Sequence, residues 1–238
     1  MEIKRFNCNY LSENCYVASE GAGAVIVDPG FLDDEIDGLY SYMDAEGLKP
    51  EAILLTHAHF DHILATKILQ DKYGIPVFLH PDEQSTLQLD RKYVAEENIR
   101  NFQPEFERTP VSDGQTLIFA EGRLKFKVIA TPGHTPGGVC YYEEKDGVRV
   151  SGDTLFAGTI GRTDLEYGDY DMLIRSIMEK LILLPGETAV YPGHGRPTSI
   201  AAERSDNPFL EPFNEAEEDF DPESIEPVII HGGESVPL

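Results

Sequence analysis

Four side chains able to bind a metal fall within six residues, in Thr56-His57-Ala58-His59-Phe60-Asp61-His62, directly after the apolar run Ala52-Ile53-Leu54-Leu55. That run is short, apolar and β-compatible, which predicts a buried strand. Beyond the cluster, Ile63, Leu64, Ile68 and Leu69 recur at helical spacing. The cluster therefore sits on the loop between the C-terminal end of a strand and the start of a helix. His57 and His59 are two apart and point the same way in extended backbone. Asp61 and His62 come from the turn into the helix and face a second point nearby. The pattern predicts two adjacent cation sites. Without a cation the crowding is costly, because buried charges need partners.

The chain has 238 residues and is 41% hydrophobic, enough for one large domain or two small ones with an ample core. Its net charge of -24 argues against a nucleic-acid partner, which needs clustered Lys and Arg. It also disfavours an anionic membrane surface. Acidity by itself reads as solubility. Cys8, Cys15 and Cys140 form no CxxC pair, and their odd number makes no disulfide framework. No apolar stretch reaches the length of a membrane span. Met1-Glu2-Ile3-Lys4-Arg5-Phe6 lacks the apolar core of a signal peptide. The expected location is the cytoplasm. Nothing in the sequence sets an oligomeric state.

Along the chain, Ile3–Phe6, Cys15–Ser19 and Ala24–Val27 read as an antiparallel meander ending in Asp28-Pro29-Gly30. Asp28 is either a turn former or a hydrogen-bond acceptor behind the metal ligands. Residues 33–47 read as a helix with Asp33 and Asp34 in its first turn and Gly47 at its end. Residues 75–79 form a short strand, His80 is a strand-end residue, and 82–102 are mostly helical. Leu117–Phe119 and Leu124–Ile129 pair, and the second delivers Thr131-Pro132-Gly133-His134-Thr135-Pro136-Gly137-Gly138, a rigid turn well suited to present His134. A hairpin at Lys145-Asp146-Gly147 leads to Ser151-Gly152-Asp153 at another strand end. Residues 169–183 form an amphipathic helix, Thr188–Tyr191 the last core strand before Pro192-Gly193-His194-Gly195, and 198–206 a closing helix.

His57, His59, Asp61, His62, His134, Asp153 and His194 thus all fall at strand ends or on the loops after them. Five of the seven histidines are in this set, and independent structural roles would scatter them more widely.

With these motifs, the chain resembles the metallo-β-lactamase-fold hydrolases, and within them the glyoxalase II-like (hydroxyacylglutathione hydrolase-like) group. The carriers are the segments 56–62, 131–138, 191–195 and Ser-Gly-Asp-Thr-Leu-Phe-Ala-Gly-Thr-Ile-Gly-Arg-Thr-Asp at 151–164. Asn14-Cys15-Tyr16, Val27-Asp28-Pro29-Gly30 and Glu203 through Leu210 match its opening and closing segments. The resemblance covers roughly residues 1–210. It implies an α/β (α+β) fold, a four-layer αββα sandwich with metals at one edge between two sheets. It assigns His57, His59 and His134 to one metal, Asp61, His62 and His194 to a second, and Asp153 as the bridge. The ions are two divalent metals, zinc first, with iron or manganese also suited to mixed N/O ligands. Residues 211–238 are a short acidic extension where glyoxalase II carries a glutathione-binding helical domain, and Val228-Ile229-Ile230 is a candidate strand within it.

The implied activity is hydrolysis of a small anionic acyl thioester, such as S-lactoylglutathione, by a hydroxide shared between the ions. Asp61 orients that hydroxide as well as ligating. A thiolate departs without a strong acid, since its pKa is about 8.5. Arg162 suits a substrate carboxylate, or else pairs with Asp164. Tyr167 is expected to line the pocket. The alternatives are a mononuclear-iron persulfide dioxygenase-like enzyme, another hydrolase of this fold acting on an ester or lactone, and a non-catalytic metal-binding module. A β-lactamase or a nuclease fits less well, for want of an export signal and of basic insertions.

Overall fold

The computed structural model describes residues 1–96 and 102–213. The strands are β1 (Glu2–Cys8), β2 (Glu13–Glu20), β3 (Gly23–Val27), β4 (Lys49–Leu54), β5 (Val77–Leu79), β6 (Arg108–Pro110), β7 (Thr116–Phe119), β8 (Leu124–Ala130), β9 (Val139–Glu143), β10 (Val148–Gly152), β11 (Leu155–Phe156), β12 (Thr159–Ile160), β13 (Ala189–Pro192) and β14 (Thr198–Ser199). The helices are α1 (Asp37–Ala45), α2 (Phe60–Ile63), α3 (Thr66–Tyr73), α4 (Gln84–Glu96), α5 (Tyr170–Ser176) and α6 (Ile200–Asp206). Among the described residues, no helix is long and apolar enough to cross a membrane.

Two six-stranded sheets form the centre. One runs β1-β2-β3-β4-β5-β6, the other β14-β13-β10-β9-β8-β7, and β11 and β12 make a separate hairpin. The expected meander β1–β3 is present, and from β3 to β6 neighbours are parallel. Every residue of β3 is buried, because both of its faces meet a core. Val25 and Val27, with Ala52 and Leu54 of β4, face Phe126, Val128, Tyr141 and Val150 of the other sheet. Ile26 and Ile53 face outward onto Leu39 and Met43 of α1 and Leu69 of α3. On the far side, Cys140, Tyr142 and Val190 pack against Leu173 of α5 and Ile200 of α6. Two sheets between two helical layers, the expected four-layer αββα sandwich, follow from strands that are apolar on both faces.

Several boundaries differ from those expected. The first helix starts at Asp37, and Asp33 and Asp34 lie in the turns before it. The Glu35 carboxylate accepts from the amides of Leu32 and Asn9, which holds this segment out of the helix. The stretch 82–102 opens with a 3₁₀ turn, Pro81–Glu83, before α4, and residues 97–101 lie outside the described residues. The helix expected over 169–183 is α5, capped by Asp169, running into a π-helical turn at Ile177–Leu181. Thr198 and Ser199 pair with β13, so α6 begins only at Ile200, where the Ser199 hydroxyl accepts from Ala202. Strand β6 and the β11–β12 hairpin were not expected. Val228–Ile230 lies outside the described residues.

Candidate metal centre

The C-terminal ends of β3, β4, β8, β10 and β13 meet at one edge between the sheets. Parallel pairing sets the alignment: Val27 lies opposite Leu54, which brings Asp28 beside Thr56, and Gly152 lies opposite Pro192, which brings Asp153 beside Gly193. Over most of their area the inner faces meet through apolar side chains, but here hydrogen bonds clasp the sheets. Asn14 donates its backbone N–H to Gly193 and its side-chain N–H groups to the carbonyls of Pro192 and Gly195. The Tyr16 hydroxyl donates to the Pro192 carbonyl at 2.6 Å, Tyr141 to that of Leu55, and the Val139 N–H to that of Thr56. Ligand-bearing loops from both halves are thereby held at fixed spacing. Gly193 passes so close that a Cβ there would lie 2.3 Å from Asp153 Oδ1 and 2.6 Å from His62 Cε1.

The seven residues singled out in the sequence all converge. His57, His59 and His134 each offer an atom within 4.8 Å of the others, and so do Asp61, His62 and His194. Asp28 forms a third such group with His57 and His62. In the first group His59 Nδ1 lies 3.1 Å from His57 Nε2 and 3.0 Å from His134 Nε2. In the second, His194 Nε2 lies 3.2 Å from Asp61 Oδ2, and His62 Nε2 is 3.8 Å from the same oxygen. Asp153 stands between the groups. Its Oδ1 is 3.5 Å from His62 Nε2, and its Oδ2 is 3.5 Å from His134 Nε2 and 3.7 Å from His194 Nε2.

The opposite edges of four imidazoles are already occupied. His62 Nδ1 donates to Asp28, His134 Nδ1 to the Arg162 carbonyl at 2.7 Å, and His194 Nδ1 to the Leu11 carbonyl. The Thr56 hydroxyl donates to Asp28 Oδ2 at 2.6 Å, so it accepts from His57 Nδ1 at 3.0 Å. These bonds fix the ring orientations and aim each Nε2 inward, the arrangement that metal-bound histidines take. Buried His62 Nε2 and Asp153 Oδ1 have no hydrogen-bond partner. Converging lone pairs and orphaned donors suit divalent cations.

Protonation tells the same story. Burial, together with the neighbouring imidazoles, drives His57 and His59 well below the usual histidine range. Burial also acts against charge on His62, but Asp153 and Asp61 outweigh it and raise that imidazole to about 10. Burial pushes Asp61 up, yet His62 and His194 hold it below the usual carboxylate range. Without a metal, a proton on His62 does part of a cation's work.

Asp28 is placed behind the ligands, where its two oxygens take the Thr56 N–H, the Thr56 hydroxyl and His62 Nδ1. It is also the turn residue at the end of β3, in left-handed backbone at φ 48°. Arg162 lines the cavity over the site, and its fork is engaged by Asp164 through two bonds of 2.8 Å, the pairing weighed against a substrate contact. Tyr167, expected in the pocket, is half exposed at φ 72° in the following loop, and the neighbouring Leu165 and Glu166 line the cavity instead.

Three buried acids were not expected from the sequence. Glu83 accepts the Ala58 N–H on one oxygen and the Gly137 N–H on the other, both at 2.8 Å, and so straps two ligand loops together. Glu13 is fully buried with both oxygens unpartnered, 3.7 Å from His62 Nδ1. Burial, with the nearby Cys8, Asp28, Asp61 and Asp153, pushes its carboxyl well above the usual carboxylate range. Asp90 accepts the Phe60 N–H, and burial raises it to about 7 against that bond, with help from Asp61 and Glu83.

Asp90 gives a pH test on metal-stripped protein. Its folded pKa of about 7 exceeds its ordinary 3.8, so between these values the folded state binds more protons than the unfolded. Stability therefore falls as pH rises through that window. Asp90→Asn keeps an acceptor for Phe60 but cannot ionise. Its unfolding free energy in urea is expected to gain on the parent by about 1 kcal/mol per pH unit from pH ~4 to ~7. A constant gap between the two proteins would contradict this placement.

A family model described as the metallo-beta-lactamase superfamily matches residues 9–194. The probable metallo-hydrolase YqgX of Bacillus subtilis is 37% identical over 90% of this chain and 100% of its own. Hydroxyacylglutathione hydrolase GloC of Haemophilus influenzae is 33% identical over 88% of this chain and 98% of its own. Two solved structures superpose closely. BLEG-1, described as a B3 metallo-beta-lactamase, has TM-score 0.79 at 39% identity, covering 88% of this chain and 99% of that one. TTHA1623 in a di-iron-bound form has TM-score 0.77 at 37% identity, covering 87% and 100%. Sandwich, ligand edge and likeness agree, and the chain belongs to the metallo-beta-lactamase superfamily as one of its metal-dependent hydrolases.

Proposed function

We propose that the chain hydrolyses small anionic acyl thioesters at a two-metal centre. His57, His59 and His134 hold one ion, Asp61, His62 and His194 the other, and Asp153 spans both. The observation that carries this reading is the place of Asp153 between the groups, its carboxylate 3.5 Å from His134 of the first and 3.5 Å and 3.7 Å from His62 and His194 of the second. Zinc is the first choice, and the di-iron form of TTHA1623 supports iron as an alternative. When bound, such ions acidify water toward a pKa of about 7 and polarise a carbonyl oxygen.

The chain's own residues do the rest. Asp61, ionised beside His194, aligns the attacking water and takes up its hydrogen bond. Asp28, Thr56 and the Arg162 carbonyl lock the imidazoles, so no reorganisation is needed during reaction. Apolar side chains including Phe60, Phe156 and Ile160 wall the cavity and limit water around the reacting carbonyl. A thiolate leaves without being protonated, because a simple thiol has a pKa of about 8.5. The name of the relative GloC supports a hydroxyacyl thioester. The likeness to BLEG-1, a B3 metallo-beta-lactamase, favours a second reading, β-lactam hydrolysis at the same centre.

Metal-loaded protein should be assayed with S-lactoylglutathione, with a chromogenic β-lactam, and for oxygen uptake with glutathione persulfide. The expected result is thioester turnover that exhaustive chelation abolishes and zinc or iron restores. Turnover that survives complete metal removal, or β-lactam cleavage or oxygen uptake in place of thioester cleavage, would sink the proposal.

A further inference from the structure

A cavity of about 1100 Å³ opens over the metal centre. That is at the upper end of pockets that enclose a drug-sized ligand, about 300–1,000 Å³. A short acyl group fills little of it, so most of the room lies on the thiol side of the scissile bond. Three cations line this space, Lys92, Arg162 and Arg196. Arg162 is engaged by Asp164. In a chain with 43 acidic and 19 basic residues, a cation easily finds an acid. Yet Lys92 and Arg196 have no carboxylate at ion-pair distance among the described residues, although both are exposed to the cavity. Lys92 lies on α4, over the first sheet, and Arg196 on the loop after β13 of the second. Of the acids on the same lining, Asp61 and Asp153 face the imidazoles, Asp90 is tied to Phe60, and Glu166 has no ion pair among the described residues.

We propose that Lys92 and Arg196 are a specificity-determining pair that binds the carboxylates or phosphates carried by the thiol half of the substrate, remote from the scissile carbonyl. The proposal rests on the thioester reading above. It also explains how a strongly acidic chain receives an anionic substrate: the anion meets two cations without a carboxylate partner among the described residues, in a walled cavity where the local field and not the net charge decides.

The test compares S-lactoylglutathione, an acyl-coenzyme A and the uncharged S-lactoyl-N-acetylcysteamine, in the parent and in Lys92→Gln/Arg196→Gln. The ratio of kcat/KM for anionic over neutral thioester should fall about 10-fold in the double variant, as two partly exposed ion pairs allow, with the change in KM. Arg196→Lys should restore much of its share. Loss of preference for the glutathione thioester identifies carboxylates as the ligand, and loss for the coenzyme A thioester identifies phosphates. Equal loss for charged and neutral substrates, or none, overturns the proposal. Calorimetric binding of S-methylglutathione and S-methyl-coenzyme A to zinc-loaded protein separates the two readings. If no thioester turns over, the thioester reading fails and binding alone judges the pair. Weaker binding by the double variant supports it, and equal or absent binding in both proteins overturns it.

Discussion

Replacing Asp153 with alanine is expected to lower S-lactoylglutathione turnover about 10³-fold and to leave the chain holding about one divalent ion in place of two. Asp153 approaches both groups on the side of their Nε2 atoms: Oδ1 lies beside His62 Nε2 and Oδ2 beside His134 Nε2 and His194 Nε2. It is delivered by the turn after β10, where Gly152 takes φ 48° and a Cβ would lie 2.2 Å from Thr56 Oγ1. Removing the carboxylate leaves four of the five histidines in place, since the outer nitrogens of His57, His62, His134 and His194 are held independently by Thr56, Asp28 and two carbonyls. Folding should therefore be retained while the centre fails. Metal content by elemental analysis and steady-state kinetics on the same preparation check both halves. A variant that holds two ions and keeps a tenth of the parent rate would refute the bridging role.

The second large effect is on stability. Asp28→Ala is expected to destabilise metal-free protein by about 3–5 kcal/mol, because it orphans three buried donors at once: the Thr56 N–H, the Thr56 hydroxyl and His62 Nδ1. For a domain of this size that corresponds to roughly a 10 °C fall in Tm. Alanine also fits poorly at φ 48°, where Asp and Asn are better tolerated. Asp28→Asn separates the contributions. It keeps the backbone conformation and one acceptor, so it should cost less stability yet still weaken metal binding about 10–100-fold through the loosened His62 and His57. Thermal unfolding in chelator, followed by metal titration, reads both. An Asp28→Ala protein that melts within a degree or two of the parent would show that these bonds are not made in solution.

The convergence of these seven residues was legible because it is encoded locally. An apolar strand followed at once by polar or metal-binding residues recurs at Leu55-Thr56-His57, at Val150-Ser151-Gly152-Asp153 and at Val190-Tyr191-Pro192-Gly193-His194, and strand ends in a sandwich share an edge. What supports the ligands was harder to see. Glu13, Glu83 and Asp90 are three among 43 acidic residues, and burial alone distinguishes them. One signal was present. Glu83, Thr86, Leu87 and Asp90 recur at helical spacing, and all four are buried, so a face that should be apolar carries two acids aimed at the site. Strand β6 is three exposed residues in parallel pairing with β5, with no alternation to reveal it. The helix start was misplaced because Glu35 bonds Asn9, which is distant in the chain. Tyr167 was expected to line the pocket, but it is half exposed in left-handed backbone, and the lining holds its neighbours Leu165 and Glu166.

The most direct test of the two-metal centre is anomalous diffraction from crystals grown with excess zinc or iron, recorded on both sides of the metal edge. The expected map has two peaks per chain about 3.5–4 Å apart. One should lie among His57 Nε2, His59 Nδ1 and His134 Nε2, the other among Asp61, His62 Nε2 and His194 Nε2, with an Asp153 oxygen at each. A single peak at saturating metal, or a second one that Asp61 and His194 do not reach, would contradict it.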